Sequence, residues 1–167
     1  MILAVDPGPE KSGWALLAGD ELRSCGHDTN EGLVNSFHEW GKEVHHDFAC
    51  EWIESMGMAV GATTFETVYW TGRMDAEIRN MQRVTRREVK LNLCGSMQAK
   101  DANVRRAVLD RFPATGGGAE PVIGTKGQPG PLYTVRGQGG HVWSALAVAL
   151  TFRDRQEAQH AGLKWHV

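Results

Sequence analysis

The chain has 167 residues, 41% hydrophobic and 23% charged, with a formal net charge of −2. That is the make-up of one globular domain with a real core and no room for two substantial lobes. No apolar run approaches the roughly 20 residues of a membrane span, and Asp6 interrupts any signal-peptide reading of the N-terminus, so a cytoplasmic location is expected. The charge is segregated: residues 1–70 carry 3 Lys/Arg against 12 Asp/Glu, residues 71–111 carry 10 against 5, and residues 112–167 carry 5 against 3. Cys25, Cys50 and Cys94 are odd in number, far apart and free of any CxxC pair, which points to neither a disulfide framework nor zinc.

Ile2–Val5 is an apolar run of strand length that delivers Asp6 into the turn Pro7-Gly8-Pro9. Gly13–Leu17 is a second such run, so Asp6 rides on a hairpin of two core strands. Two accounts of Asp6 stand side by side. In Asp-Pro-Gly an aspartate bonds its own backbone as turn chemistry; on a rigid strand end it is also the hard oxygen ligand that a divalent cation takes. Glu21–Gly26 predicts a third strand and an antiparallel meander. Asn30–His46 has helical spacing, with Leu33, Phe37, Trp40, Gly41 and Val44 on one side. His45 and His46 are adjacent on that helix, do not face each other, and read as a solvated end.

Asp47–Ile53 reads as a short buried strand carrying Glu51 between Cys50 and Trp52. A carboxylate buried there needs a cation or hydrogen-bond partners; alternation that points Glu51 outward is the other reading. Residues 55–61 form a loop bearing glycines and methionines. A long helix, Thr63–Arg83, is expected next, with Phe65, Val68, Tyr69, Gly72 and Met81 packed inward and Arg73, Arg79 and Arg83 near a common side. A solvated charged face is the default reading of such arginines. Glu88–Leu93 alternates like a strand, Val89, Leu91 and Leu93 opposite Lys90 and Asn92. Asp101–Phe112 is an amphipathic helix with Asp101 as its N-cap and Val104, Val108, Leu109 and Phe112 inward. Pro113–Gly140 is a long Gly/Pro-rich loop or mobile flap, and loops of that length in compact domains are usually functional or disordered. The last helix, His141–Gln159, is apolar on nearly every side and therefore buried; His141 and Ser144 share its first face, and His141 taken alone is a capping or core residue.

An acid on strand one, an acid on a later strand and a polar ligand type opening the last helix form an ordered set. In Ile2-Leu3-Ala4-Val5-Asp6-Pro7-Gly8 with Gly13, and in Glu51, the chain resembles the RuvC-type Holliday junction resolvases of the RNase H-like superfamily. Gly57–Gly61, Phe65-Glu66-Thr67, Trp70–Arg73, Val89–Gly95, Ala99–Val104, Pro129–Tyr133 and His141–Leu146 resemble the phage-type branch. The resemblance implies an α/β, RNase H-like three-layer fold in one domain, with a mixed five-stranded sheet and helices on both faces. It also implies a homodimeric endodeoxyribonuclease that nicks four-way or related branched DNA in a bacterial or phage-infected cytoplasm. Two Mg²⁺ per active site, about 3.5–4 Å apart, would activate water and stabilise the leaving oxygen. Asp6, Glu51 and His141 match the metal-binding positions and Lys90 the lysine serving the scissile phosphate; Mn²⁺ is a fitting replacement because imidazole suits softer ions. Arg73, Arg79, Arg83, Arg86, Arg87, Lys100, Arg105 and Arg106 would contact DNA phosphates.

The family's last helix often carries two carboxylates three residues apart, where this chain has His141 and Ser144. A serine is a poor Mg²⁺ ligand, so either metal binding is weaker here or another acid helps, Glu54 and Glu66 being the candidates beside Ser144. Asp154, thirteen residues beyond His141, lies roughly 20 Å along the helix, too far to serve. Lys100 stands one position before the family's second lysine, whose place Asp101 takes. A branched-DNA binding protein with weak or no catalysis is one alternative, suggested by Ser144. An RNase H-like nuclease that trims ribosomal RNA precursors is another; it shares Asp-Pro-Gly, but the Phe65-Glu66-Thr67 and Trp143–Leu146 blocks argue against it. A two-lobed sugar-kinase or actin-type ATPase is excluded by length.

Overall fold

A computed structural model describes residues 1–43, 47–52, 61–78 and 80–165, the side chains of 38–43 excepted. The chain opens with three strands, β1 (Ile2–Asp6), β2 (Lys11–Ala18) and β3 (Glu21–Thr29), followed by α1 (Asn30–Glu43) and β4 (Asp47–Trp52). It continues through α2 (Ala62–Glu77), β5 (Gln82–Thr85), α3 (Arg86–Cys94) and α4 (Asp101–Leu109) to α5 (Gly140–His160). The strands lie in the order β3-β2-β1-β4-β5; β1–β3 are antiparallel neighbours, and β4 and β5 join in parallel.

Alternation along the strands sorts side chains between two cores. Ile2 and Ala4 of β1 and Ala49 of β4 face α5, whereas Leu3, Val5, Phe48 and Cys50 face Leu33 and Phe37 of α1 and Met74 of α2. Both faces of the sheet are thus covered, which is why β1 is buried at every position and reads as one continuous apolar run. The five-stranded mixed sheet with helices on both faces is the architecture expected from the sequence. In α5, Val142, Trp143 and every residue from Ala145 to Phe152 are buried, because the sheet lies on one side and α3, α4 and residues 113–139 on the other.

Gly13 decides how closely α5 can sit. It pairs with Asp6 across the hairpin, and a Cβ there would penetrate the main-chain carbonyl of His141. The glycine therefore lets the head of α5 rest on the strand beside Asp6.

Several expectations are corrected. The helix expected to reach Arg83 stops at Glu77; Ile78 is extended, Asn80 is left-handed (φ 65°), and Gln82–Thr85 become the edge strand β5. On α2 the inward residues are Thr71 and Met74, while Phe65, Val68 and Tyr69 are exposed and Gly72 faces outward; Met81 is buried just before β5. Glu88–Leu93 is helical, inside α3. Thr85 Oγ1 accepts from the Glu88 N–H, and the Glu88 carboxylate accepts from the Thr85 N–H at 2.7 Å, a reciprocal cap that starts a helix, which Gly95 ends at φ 65°. Lys90 consequently sits on a helix. The N-cap of α4 is Lys100, whose N–H donates to Asn103 Oδ1, with Asp101 in the first turn; that helix ends at Leu109, although Phe112 is buried as expected.

Residues 113–139 hold little regular structure beyond one 3-10 turn at Tyr133–Val135, but they are packed. Gly117 N–H donates to Gln128 O and Leu132 N–H to Val122 O, each at 2.9 Å, and Ile123, Leu132 and Val135 enter the core under α5. The segment is a folded loop rather than a flap. Cys25, Cys50 and Cys94 are free thiols, and among the described residues no helix is long and apolar enough to cross a membrane. His45 and His46, together with the 55–60 loop, lie outside the described residues.

Gly13→Ala is expected to cost about 3 kcal/mol by overpacking, read as a lower urea midpoint. A loss below about 0.5 kcal/mol, the scale of an ordinary surface substitution, would mean that the seat of α5 is not fixed by this glycine.

Candidate active site

Asp6 follows Ile2 and Ala4 on the α5 side of β1, and Glu51 follows Ala49 on the same side of β4. The two strands are parallel with Val5 opposite Cys50, so Asp6 and Glu51 come next to each other at their carboxyl ends, where α/β sheets place their ligand crevices. The turn after Asp6 is held by other side chains. Ser12 Oγ accepts from the Gly8 N–H and donates to Asn30 Oδ1 at 2.6 Å, and Asn30 Nδ2 donates to the Gly8 carbonyl at 3.0 Å. The Asp6 carboxylate is thereby spared from turn duty. Its Oδ2 lies 2.6 Å from Nδ1 of His141, the second residue of α5.

These acids are poorly solvated. Asp6 is 9% exposed. Glu51 Oε2 is shielded from water without a hydrogen-bond partner, 3.6 Å from Arg86 Nη1, which is likewise shielded and unbonded. Arg86 Nη2 reaches Asp101 Oδ1 at 2.6 Å. Burial, then the charge of Asp6, pushes the Glu51 carboxyl up to about 7 against the pull of Arg86. The hydrogen bond to Asp6 raises the His141 imidazole above its ordinary value, opposed by burial. Asp6, Arg86 and His141 line a pocket of about 600 Å³ that is also walled by Asp101, Arg105 and Ser144; Glu51 does not line it and is joined to its wall through Arg86.

Asp6, Glu51, His141 and Arg86 are therefore brought together, with Ser144 on the same pocket. Lys90, on α3, does not line it. Arg83 stacks on the Trp52 ring at 3.9 Å and pairs with Asp75. Arg73 points outward from α2, 3.4 Å from the Tyr69 hydroxyl, and Glu66 is exposed on the same helix. Arg87 is exposed on α3, and Lys100 is exposed at the start of α4. Arg106 pairs with Asp110, while Arg105 lies over the Trp143 ring at 4.5 Å. Asp154 is tied to Arg111. Glu54 and Arg79 lie outside the described residues. Asp101 is the residue that sequence reasoning missed as a site acid; the cap formed by Thr85 and Glu88, legible as Thr-x-x-Glu, would have placed Arg86 at a helix head beside Glu51.

Two desolvated carboxylates side by side, one with a shielded and unbonded oxygen, fit the donor set of a divalent cation. Among the described residues no three His, Cys, Asp or Glu side chains already converge on one point: Asp6 is engaged by His141 and Glu51 by Arg86. Protein cations serve the two acids here, and a metal ion would compete with them.

In the absence of divalent cations, a carboxyl whose folded pKa exceeds its unfolded value costs nothing at pH 4, where it is protonated in both states. The cost grows as pH rises and is complete above the folded value of about 7. Glu51→Gln in EDTA should therefore be more stable than wild type by on the order of 2 kcal/mol at pH 8 and nearly equal to it at pH 4, by thermal or urea unfolding. Destabilisation at pH 8 would mean that the Arg86 pairing outweighs the burial.

No protein-family model matches the chain, and no curated protein matches its sequence. Solved structures match it in shape. RuvC of T. thermophilus in complex with a Holliday junction substrate superposes with a TM-score of 0.60 at 16% identity, over 93% of this chain and 95% of that one. A second structure of Thermus thermophilus RuvC gives 0.59 at 19% identity, over 93% and 96%. At such identities the likeness is one of fold, and it spans nearly the whole of both chains: this chain has the mixed five-stranded, helix-flanked fold of RuvC.

Proposed function

We propose that this chain is a structure-selective endodeoxyribonuclease that nicks four-way or related branched DNA by metal-dependent phosphodiester hydrolysis. The observation that carries the reading is the pair Asp6 and Glu51, desolvated at adjacent strand ends under His141. Their setting supports it: the fold is that of a protein solved with a Holliday junction, and the sequence blocks resemble phage-type resolvases.

Asp6, Glu51 and His141 would hold Mg²⁺, or Mn²⁺, two ions per site, with Asp101 as the added carboxylate where Ser144 offers only a hydroxyl. Bound divalent cations supply an activated water and charge stabilisation at the leaving oxygen. The chain's own groups do the rest. Ser12 and Asn30 fix the turn that aims Asp6, and His141 can hold or release a proton at Nδ1. Arg86 keeps a positive charge at the pocket wall, suited to a phosphate's developing charge. The outward Phe65, Val68 and Tyr69 of α2 support a second copy as partner, since a contiguous apolar face of this kind marks an interaction site.

The test is cleavage of four-way, forked and linear DNA in Mg²⁺ and in Mn²⁺ with nicks mapped. Paired nicks near the crossover of branched substrates are expected, with linear duplex spared. Binding without nicking in either metal would contradict the proposal and favour a branched-DNA binding protein. Asp6→Asn and Glu51→Gln should each lower nicking by about 10³-fold or more while junction affinity stays within a few-fold. Loss of binding in step with cleavage would make the acids structural.

A further inference from the structure

Beside the acid pocket lies a second groove of about 720 Å³, formed between α4, the head of α5 and the folded 117–138 segment. The two hollows share Arg105, Gln138 and Trp143, so they adjoin across these three side chains. The new half is lined by Arg136 and by Gly117, Gly118, Gly124 and Gly137; where no side chain projects, a ligand's backbone can approach the main chain closely. Glu120 is the one acid among its lining residues.

Two arginines without a carboxylate partner among the described residues meet in this groove, whereas Arg73 and Arg87, which also have none, lie exposed on α2 and α3. Arg83, Arg106, Arg111, Arg153 and Arg155 are each tied to a carboxylate, as is Arg86 in the acid pocket. Arg105 and Arg136 have no carboxylate partner among the described residues, and both line this groove. Arg105 is stacked on Trp143, which fixes its plane and leaves its N–H groups to an anion; Arg136 is exposed directly after the Tyr133–Val135 turn. Two unpaired guanidinium groups along a glycine-walled groove beside the acid pocket suit a chain of phosphates.

We infer that this groove carries the DNA strand flanking the scissile phosphate, with successive backbone phosphates held by Arg105 and Arg136. The folded 113–139 segment is then the wall that guides one strand out of the acid pocket. This rests on the nuclease reading above and extends it to the path of the strand.

The experiment measures four-way junction affinity against salt concentration for wild type, Arg105→Gln, Arg136→Gln, Arg105→Lys and the control Arg23→Gln on β3, each checked for folding by circular dichroism. Each glutamine variant is expected to bind about 5- to 10-fold more weakly and to lower the slope of log K against log salt by about one. Arg105→Lys should keep most of the slope, and Arg23→Gln should match wild type. Ethylation interference should lose its signal at phosphates on one side of the nick in Arg136→Gln. If wild type binds and nicks junctions while both glutamine variants keep its slope and its interference pattern, the groove assignment is overturned and the nuclease reading stands. If wild type neither binds nor nicks branched DNA, the nuclease reading falls and the strand path with it.

Discussion

The close approach of α5 to β2 over Gly13 is the constraint on which the centre of this molecule depends. A side chain at position 13 would strike the main chain of His141, and without that contact the imidazole would not stand 2.6 Å from Asp6. The same seat presses the apolar run of α5 onto β1 and β2, so one glycine serves both the packing of the buried helix and the composition of the pocket. The small polar knot of Ser12, Asn30 and Gly8 complements it from the other side: it holds the Asp-Pro-Gly turn and frees the carboxylate that the turn would otherwise occupy.

Charge balance is the second theme. Placing two acids at adjacent ends of buried strands is unfavourable unless cations accompany them. In this chain the balance is met from within, His141 answering Asp6 and Arg86 bridging Glu51 and Asp101. Both arrangements use groups that can be exchanged: an imidazole whose pKa is raised by its hydrogen bond to Asp6 and an arginine whose far end is tied to an exposed aspartate. A centre built this way sets a protein cation beside each acid yet retains an unsatisfied oxygen on Glu51. On the proposed reading Asp101 also changes the meaning of Ser144, because a carboxylate at the pocket wall would stand in for the one the last helix lacks.

Much of this was legible in the sequence. The meander β1–β3, the strand around Glu51 and the buried last helix follow from long, clean periodicities; Asp6 and Glu51 could be picked out because each interrupts an apolar context, and His141 only through the family resemblance. What was hidden was short. β5 has four residues with Val84 alone fully buried, too little to show a period. In α3, Val89, Leu91 and Leu93 satisfy a strand period, yet the core takes Val89 and Leu93, one helical turn apart. On α2 an apolar stripe marked the outer face rather than the inner one, because nothing in a single sequence distinguishes an apolar helix side that meets the sheet from one that faces outward. Arg86 enters the site through the junction of β5 with α3, so misplacing those elements concealed its contact with Glu51, and with it the tie to Asp101 at the head of α4.

The central claim is that Asp6 and Glu51 are held in a state that a divalent cation relieves. Thermal unfolding of wild type and Asp6→Asn at pH 8, titrated with Mg²⁺ from zero to millimolar concentration, tests it most directly through the linkage of cation binding to stability. The expected result is a wild-type Tm that rises with Mg²⁺ and a variant Tm that does not. A wild-type Tm indifferent to Mg²⁺, or one that rises equally in Asp6→Asn, would contradict it.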